Sequence, residues 1–176
     1  MSGHNKWSKI KHKKGAEDAK RSNVFSKLSR QIIAESKICN GDTSSPSLAT
    51  AIDAAKKENM PKDTIERAIK KGADKDTAAL EAVTYEAYGP GGVAIVIEGL
   101  TDNKNRSAAE VRHLLSKRGL ELAAQGAASW AFTHEGKEWI PNPTVPVSDG
   151  DGEKLGEIID ELEELDDVQA VFTNAE

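Results

Sequence analysis

The sequence predicts an α+β protein in which a basic, three-helix N-terminal domain precedes a ferredoxin-like antiparallel α/β sandwich. Three observations carry that expectation. Apolar residues recur at helical spacing up to residue 72 and thereafter alternate between strand-like and helix-like stretches. Charge divides at the same place: residues 1–72 hold 16 Lys and Arg against 8 Asp and Glu, whereas residues 73–176 hold 8 against 21. Glycine, proline and capping residues punctuate the chain where the period changes. A chain of 176 residues can bury the core of one or two domains, and the charge division favours two, at residues 1–76 and 80–176.

The first helix is expected over residues 17–38, with Val24, Phe25, Leu28 and Ile32 at helical spacing and Lys20, Lys27 and Arg30 on the wet side. Asn40-Gly41 ends it, because both residues tolerate the left-handed conformation of a helix C-terminus. Ser44-Ser45-Pro46 opens a second helix, in which Leu48, Ala51, Ile52 and Ala55 form one apolar stripe. A third follows Pro61, with Ile65, Ala68 and Ile69 inward. Arg67, Lys70 and Lys71 suit the dipole at its C-terminal end, and Gly72 is expected to stop it. Residues 73–80 have no clear period and read as the connection.

Val83 to Tyr88 and Val93 to Ile97 flank Gly89-Pro90-Gly91-Gly92, the pattern of a hairpin. Ser107-Ala108-Ala109-Glu110 matches a capping box, whose serine hydroxyl and glutamate satisfy unpaired helix amides ahead of the stripe Val111, Leu114 and Leu115. A third strand is expected over Ala128 to Phe132, then a proline-rich stretch (Pro141, Pro143, Pro146) with room for a short extra strand near Thr144 to Val147. An acidic helix presenting Leu155, Ile158, Ile159 and Leu162 inward and a last strand, Val168 to Phe172, complete the order β-β-α-β-α-β.

Bulk features narrow the class. No apolar run approaches the roughly 20 residues needed to cross a bilayer. The single cysteine, Cys39, excludes an intramolecular disulfide and suits a reducing compartment. The basic start has no apolar stretch behind it, so no secretory signal is read. The expectation is a cytoplasmic protein with no membrane partner, no cofactor and no small-molecule substrate.

Seven cations fall within the first 21 residues: Lys6, Lys9, Lys11, Lys13, Lys14, Lys20 and Arg21, accompanied by Trp7 and His12. Ammonium groups attract phosphates with little sequence preference through counterion release, and an indole stacks on an unpaired base. The plainer reading is a solvated face of a frayed helix with Trp7 packed on the core; the density of charge favours nucleic-acid contact. His4 and His12 lack a carboxylate or cysteine at metal-site spacing, so phosphate or backbone hydrogen bonding is preferred for them. Gly89-Pro90-Gly91-Gly92 lacks the Lys-Ser/Thr of a phosphate loop and joins two strands, which makes it a turn. In Thr101 to Arg106, Asp and Asn suit a strand-to-helix turn, yet Asn103, Lys104 and Arg106 could hold an RNA phosphate and ribose; both readings stand. The acidic run Glu157 to Asp167 alternates with an apolar stripe and reads as a solvated helix face that could also meet a basic protein, such as a ribosomal one. No nucleophile is paired with a base, and no acidic metal cluster accompanies the basic segment, so the chain is not read as an enzyme.

Several segments resemble the YebC family: Ser2 to Lys14, Asn59-Met60-Pro61-Lys62-Asp63-Thr64-Ile65-Glu66-Arg67-Ala68-Ile69-Lys70-Lys71-Gly72, Tyr88-Gly89-Pro90-Gly91-Gly92-Val93, Leu100-Thr101-Asp102-Asn103-Lys104-Asn105-Arg106 and Leu162 to Gln169. They run in family order over nearly the whole chain. The family includes bacterial proteins named as probable transcriptional regulators and the mitochondrial translational activator of cytochrome oxidase. The resemblance implies a helical first domain, a split α+β second domain and a role in gene expression, by binding ribosomal RNA or tRNA on the ribosome or, alternatively, DNA. It also exposes a departure. Family members usually insert a third domain after the strand ending near Phe132, whereas here only His134 to Ser148 fill that interval.

Overall fold

The computed structural model describes residues 17–136 and 138–176. Three helices come first, α1 (Glu17–Cys39), α2 (Pro46–Lys57) and α3 (Lys62–Ala73). Strands and helices follow: β1 (Glu81–Tyr88), β2 (Ala94–Thr101), α4 (Lys104–Lys117), β3 (Leu122–Ala123), β4 (Phe132–Glu135), β5 (Glu138–Pro141), α5 (Asp149–Glu164) and β6 (Val168–Thr173). They group into two compact units that part between Ala82 and Val83, with Leu100–Asp102 belonging to the helical one.

In the helical unit α1 packs against both α2 and α3. Ile32, Leu48 and Ala55 are fully buried, joined by Ala51, Met60, Ile65 and Ala68, with Phe25, Leu28 and Ile69 half-buried around them. Val24 differs from expectation in lying exposed. Neighbouring residues on a helix point about 100° apart, and of this pair Phe25 is the one that packs against the core while Val24 falls at the edge of the apolar stripe. The C-terminus of α1 forms as expected: Asn40 and Gly41 have positive φ (51° and 79°), and the Gly41 amide donates to the Ser36 carbonyl at 2.9 Å.

Gly72 has another role than the one its sequence position suggests. Helix α3 continues through it to Ala73, and Gly72 lies buried against α1, where an added Cβ would come 2.5 Å from the Ile33 carbonyl oxygen and 2.6 Å from the Ser36 Cβ. Beside it the Ser36 hydroxyl donates to the Ile69 carbonyl at 2.6 Å. The glycine permits close helix approach; it does not end the helix.

In the α/β unit four strands form a sheet in the order β3-β1-β2-β6. β1 and β2 are neighbours joined by a five-residue turn, and β3 and β6 pair antiparallel to β1 and β2, with Glu86 opposite Ala123 and Ile97 opposite Val171. A bulge falls at Glu98/Gly99, where a Cβ on Gly99 would meet the Asp167 carbonyl at 2.6 Å. Strand β2 is buried on both faces. Ile95 and Ile97 pack with Val111 and Leu115 of α4 and Leu155, Ile159 and Leu162 of α5. Ala94 and Val96, on the other face, pack with Ala128, Ala131, Phe132, Trp139 and Phe172.

The expected third strand over Ala128–Phe132 is corrected. β3 is the two-residue strand Leu122–Ala123; Ser129–Ala131 is a short 3-10 turn; and β4 pairs with β5 in a separate two-stranded sheet, with His134 opposite Trp139. The cause is Glu86, a buried glutamate on β1. Its carboxylate accepts from the backbone amides of Gly126 (2.7 Å), Ala128 (2.6 Å) and Ser129 (2.8 Å), so the chain wraps around the carboxylate instead of extending. Burial alone would raise this carboxyl's pKa, but the three amide donors outweigh burial and hold it below its ordinary 4.5.

Where a short loop near residues 133–148 was expected in place of the family's inserted domain, the chain forms the hairpin β4–β5, which covers the sheet face opposite the helices. Trp139 meets Phe132 edge-on at 6.2 Å, stacks under His134 at 4.5 Å and donates its indole N–H to Glu98 at 2.8 Å. The extra strand considered near Thr144–Val147 reduces to one parallel bridge, Val145 to Ala175. Asn174, also buried, holds this corner: its side chain accepts from the Ala94 amide at 2.8 Å and donates to the Pro143 carbonyl at 3.0 Å.

Gly72→Ala should destabilise the helical unit by about 2 kcal/mol, because the methyl group meets the Ile33 carbonyl oxygen and the Ser36 Cβ, neither of which can rotate away; urea unfolding followed by circular dichroism measures it. Glu86→Gln should cost about 2 kcal/mol at neutral pH, since an amide replaces a charged acceptor with a group half of which donates. Because the folded-state pKa of Glu86 lies below its unfolded value, its stabilising contribution is present above about pH 4.5 and is lost as pH falls through the folded value. The difference between Glu86→Gln and the parent in midpoint measurements should therefore narrow below that pH.

Candidate nucleic-acid interface

The cations divide unequally between arm and helices. Residues 1–16 carry five lysines and no acid, whereas residues 17–72 carry 11 Lys and Arg against 8 Asp and Glu. Much of the excess that makes the first half basic is therefore held in the arm. Lys6, Trp7, Lys9, Lys11, His12, Lys13 and Lys14 lie outside the described residues, as does His4; Lys20 and Arg21 fall in the opening turns of α1, their side chains likewise outside the described set.

On the helices, three of these cations are ion-paired in place. Lys62 pairs with Glu66 at 3.6 Å, Arg67 with Asp63 at 3.1 Å and Lys56 with Asp53 at 3.9 Å, while Lys37 donates to the carbonyls of Asp74 (2.7 Å) and Lys75 (3.2 Å). These pairs are exposed and each contributes at most about 1 kcal/mol, so a polyanion can compete for them. The outer face of α3 mixes signs, with Asp63 and Glu66 beside Lys62 and Arg67 ahead of Lys70 and Lys71 in the last turn, whereas a groove-reading helix presents base-reading donors from its opening turns.

In the α/β unit, Asn103 caps α4: its side-chain oxygen accepts from the Arg106 amide at 3.1 Å. The cap thus lies four residues before the serine of the expected capping box, and Ser107 is buried inside the helix. Lys104 is the first residue of α4. Arg106 reaches the buried Asp167 carboxylate at 3.0 and 3.3 Å and Glu110 at 3.7 Å, tying the start of α4 to the turn before β6 while its own side chain stays about half exposed.

The glycine turn is a hairpin in the structure. The Gly89 amide donates to Val93 at 2.8 Å and the Gly92 amide to Gly89 at 3.0 Å, which commits two of the amides a phosphate loop would present. The acidic helix α5 buries Leu155, Ile158, Ile159 and Leu162 as expected, and its Glu157 and Glu161 hold Arg118, the residue that caps the C-terminus of α4. Hydrogen bonding from Arg118 keeps the Glu161 carboxyl below its ordinary pKa. Among the described residues, no group of three or more His, Cys, Asp or Glu is placed to hold a metal ion, and no helix is long and apolar enough to cross a membrane.

Two residues with surface consequences escaped the sequence reading. Tyr88 and Trp130 are exposed neighbours, the Trp130 indole N–H donating to the Tyr88 hydroxyl at 2.9 Å and to the Ala127 carbonyl at 3.0 Å. The available signal was a tryptophan within Ala127 to Ala131, a stretch otherwise made of small residues.

The profile described as the TACO1/YebC protein N-terminal domain matches residues 5–75, and that for the TACO1/YebC second and third domain matches residues 80–138 and 137–175. The chain belongs to the TACO1/YebC family. A probable transcriptional regulatory protein of Desulfatibacillum aliphaticivorans is 46% identical over 97% of this chain and 74% of its own length. One from Petrotoga mobilis is 54% identical over 82% of this chain, a match that spans only 59% of that relative. One from Fervidobacterium nodosum is 39% identical over 99% of this chain and 93% of its own length. That alignment runs over 235 residues against the 176 of this chain, so the relative carries segments with no counterpart here. The crystal structure of a conserved hypothetical protein from Aquifex aeolicus superposes with a TM-score of 0.83 at 34% identity, covering 97% of this chain and 96% of that one. The two segments matched by the second-and-third-domain profile of the TACO1/YebC family overlap at residues 137–138, where β5 begins.

Asn103→Ala should destabilise the α/β unit by about 1 kcal/mol, the usual cost of an N-cap, whereas Asn103→Asp should keep the cap. Thermal melting of both variants beside RNA titration separates the two readings of this turn: RNA affinity that falls in Asn103→Asp with stability unchanged places a contact there.

Proposed function

We propose that this chain is a non-enzymatic nucleic-acid-binding factor in gene expression that uses its N-terminal arm to grip the phosphates of ribosomal RNA or tRNA on the ribosome and assists translation. The observation that carries the reading is the set of five lysines, uninterrupted by any acid, in residues 1–16 of a chain whose overall charge is −5. Net repulsion of the whole molecule from a polyanion is overcome only where cations are concentrated. The names of the bacterial relatives, probable transcriptional regulatory proteins, support nucleic-acid contact in the broad sense and favour DNA as the second reading. RNA is preferred on the character of α3: its exposed Arg67 and Lys62 are paired along their own helix, an arrangement suited to backbone contact and not to reading base edges. Lys104 and Arg106 are candidates for a secondary contact, and the acidic face of α5 is a candidate for a basic ribosomal protein.

Sedimentation through sucrose gradients at low and high salt tests the reading. Comigration with ribosomes that salt disrupts is the expected result; absence of comigration together with tight binding to a defined promoter would overturn it in favour of DNA. Replacing Lys9, Lys11, Lys13 and Lys14 together by Gln should abolish comigration and make the slope of log affinity against log salt shallower by about 3, at roughly 0.7 to 0.9 for each phosphate that is no longer neutralised. Wild-type affinity and slope in that variant would remove the arm as the contact.

A further inference from the structure

Trp130 is 63% exposed, yet its ring is held in place. Its indole N–H is committed to the Tyr88 hydroxyl at 2.9 Å and the Ala127 carbonyl at 3.0 Å. The Tyr88 hydroxyl in turn donates to Ala127. The backbone on either side is anchored as well, because the amides of Ala128 and Ser129 donate to the buried Glu86 carboxylate at 2.6 and 2.8 Å and Ala131 lies fully buried under the sheet. A large apolar ring is thus presented to solvent on a pinned turn, with its one polar atom already spent. An indole retained for core packing would be covered. One recruited for hydrogen bonding would keep its N–H free.

What remains available is the ring itself: Leu122 to Thr133 contain no charged residue in a half of the molecule that is otherwise strongly acidic, and the one carboxylate held in this turn, Glu86, is buried with its charge taken up by three backbone amides. A nucleobase is the ligand that suits a neutral, rigid aromatic surface, since stacking needs a π-face and no hydrogen-bond readout, and a preordered ring loses little entropy when it stacks. The geometry points to Trp130, flanked by Tyr88, as a stacking platform for an unpaired base of single-stranded or looped RNA. This rests on the nucleic-acid reading above and adds to it a preference for unpaired over duplex strands.

The test compares the full chain with Trp130→Ala, Trp130→Phe and the four-lysine variant, using a 12-residue oligouridylate and an RNA duplex of equal charge as probes. Trp130→Ala should weaken binding of the single strand about tenfold, the scale of one base–aromatic stack, while leaving duplex affinity and the salt slope unchanged. Trp130→Phe, which keeps a ring but no N–H, should recover most of the loss; thermal melting confirms that both variants remain folded. Wild-type oligouridylate affinity in Trp130→Ala, with binding lost in the four-lysine variant, overturns the platform and leaves the arm reading intact. Loss of single-strand and duplex binding together overturns it too, since stacking cannot act on a closed duplex. If the wild-type chain binds neither probe, the arm reading and the platform fall together. A variant with unchanged oligonucleotide affinity but reduced ribosome comigration assigns the ring to a protein partner instead.

Discussion

A central strand buried on both sides cannot be left with one face open. In the α/β unit β2 is that strand, and its alternate residues face two separate cores: Ile95 and Ile97 toward α4 and α5, Ala94 and Val96 toward Phe132 and Trp139. Each exposed face would leave several aliphatic side chains in water, at about 25 cal/mol for every Å² of apolar surface. The helices supply one cover from regular structure. The other is supplied by a turn and a small hairpin that would not persist alone; they hold because Glu86 binds three amides of the turn and Glu98 takes the Trp139 indole N–H. Two acidic side chains thus do the organising on the face that lacks helices.

The same arrangement accounts for how this chain accommodates less sequence than several relatives. The two segments of the family profile overlap at residues 137–138, where β5 begins. The two strands that adjoin there, β4 and β5, pair directly with each other, Glu135 opposite Glu138, and remain on the sheet face. The cover over β2 is therefore complete without further residues, and the α/β unit keeps both cores.

How far the sequence could be read depended on whether the deciding interaction was local. Periodicity marked out every helix, and the left-handed pair Asn40-Gly41 ended α1 where it was expected. The hairpin and the stripe of α5 were readable for the same reason. The failures share a cause: Gly72 looks like a helix stop in one dimension and is a contact with Ser36 in three, and Ala128 to Phe132 looks like a strand until Glu86, some 40 residues away, takes its amides. Asn103, not Ser107, caps α4 because either residue satisfies a capping pattern, and the packing of Ser107 inside the unit decides between them. For the interface, the charge of the arm was visible from composition, whereas Tyr88 and Trp130 are 42 positions apart and nothing in the order of residues joins them.

The placement of the aromatic rings gives the molecule an optical asymmetry. Trp130, Trp139, Tyr85 and Tyr88 all belong to the α/β unit, and residues 17–82 contain neither tryptophan nor tyrosine. Near-ultraviolet absorbance and emission from the described residues consequently watch one unit, while far-ultraviolet ellipticity is weighted toward the helices of the other. Once Trp7 is replaced by Phe, these two signals report on different units, and transitions that fail to coincide show that the units melt separately.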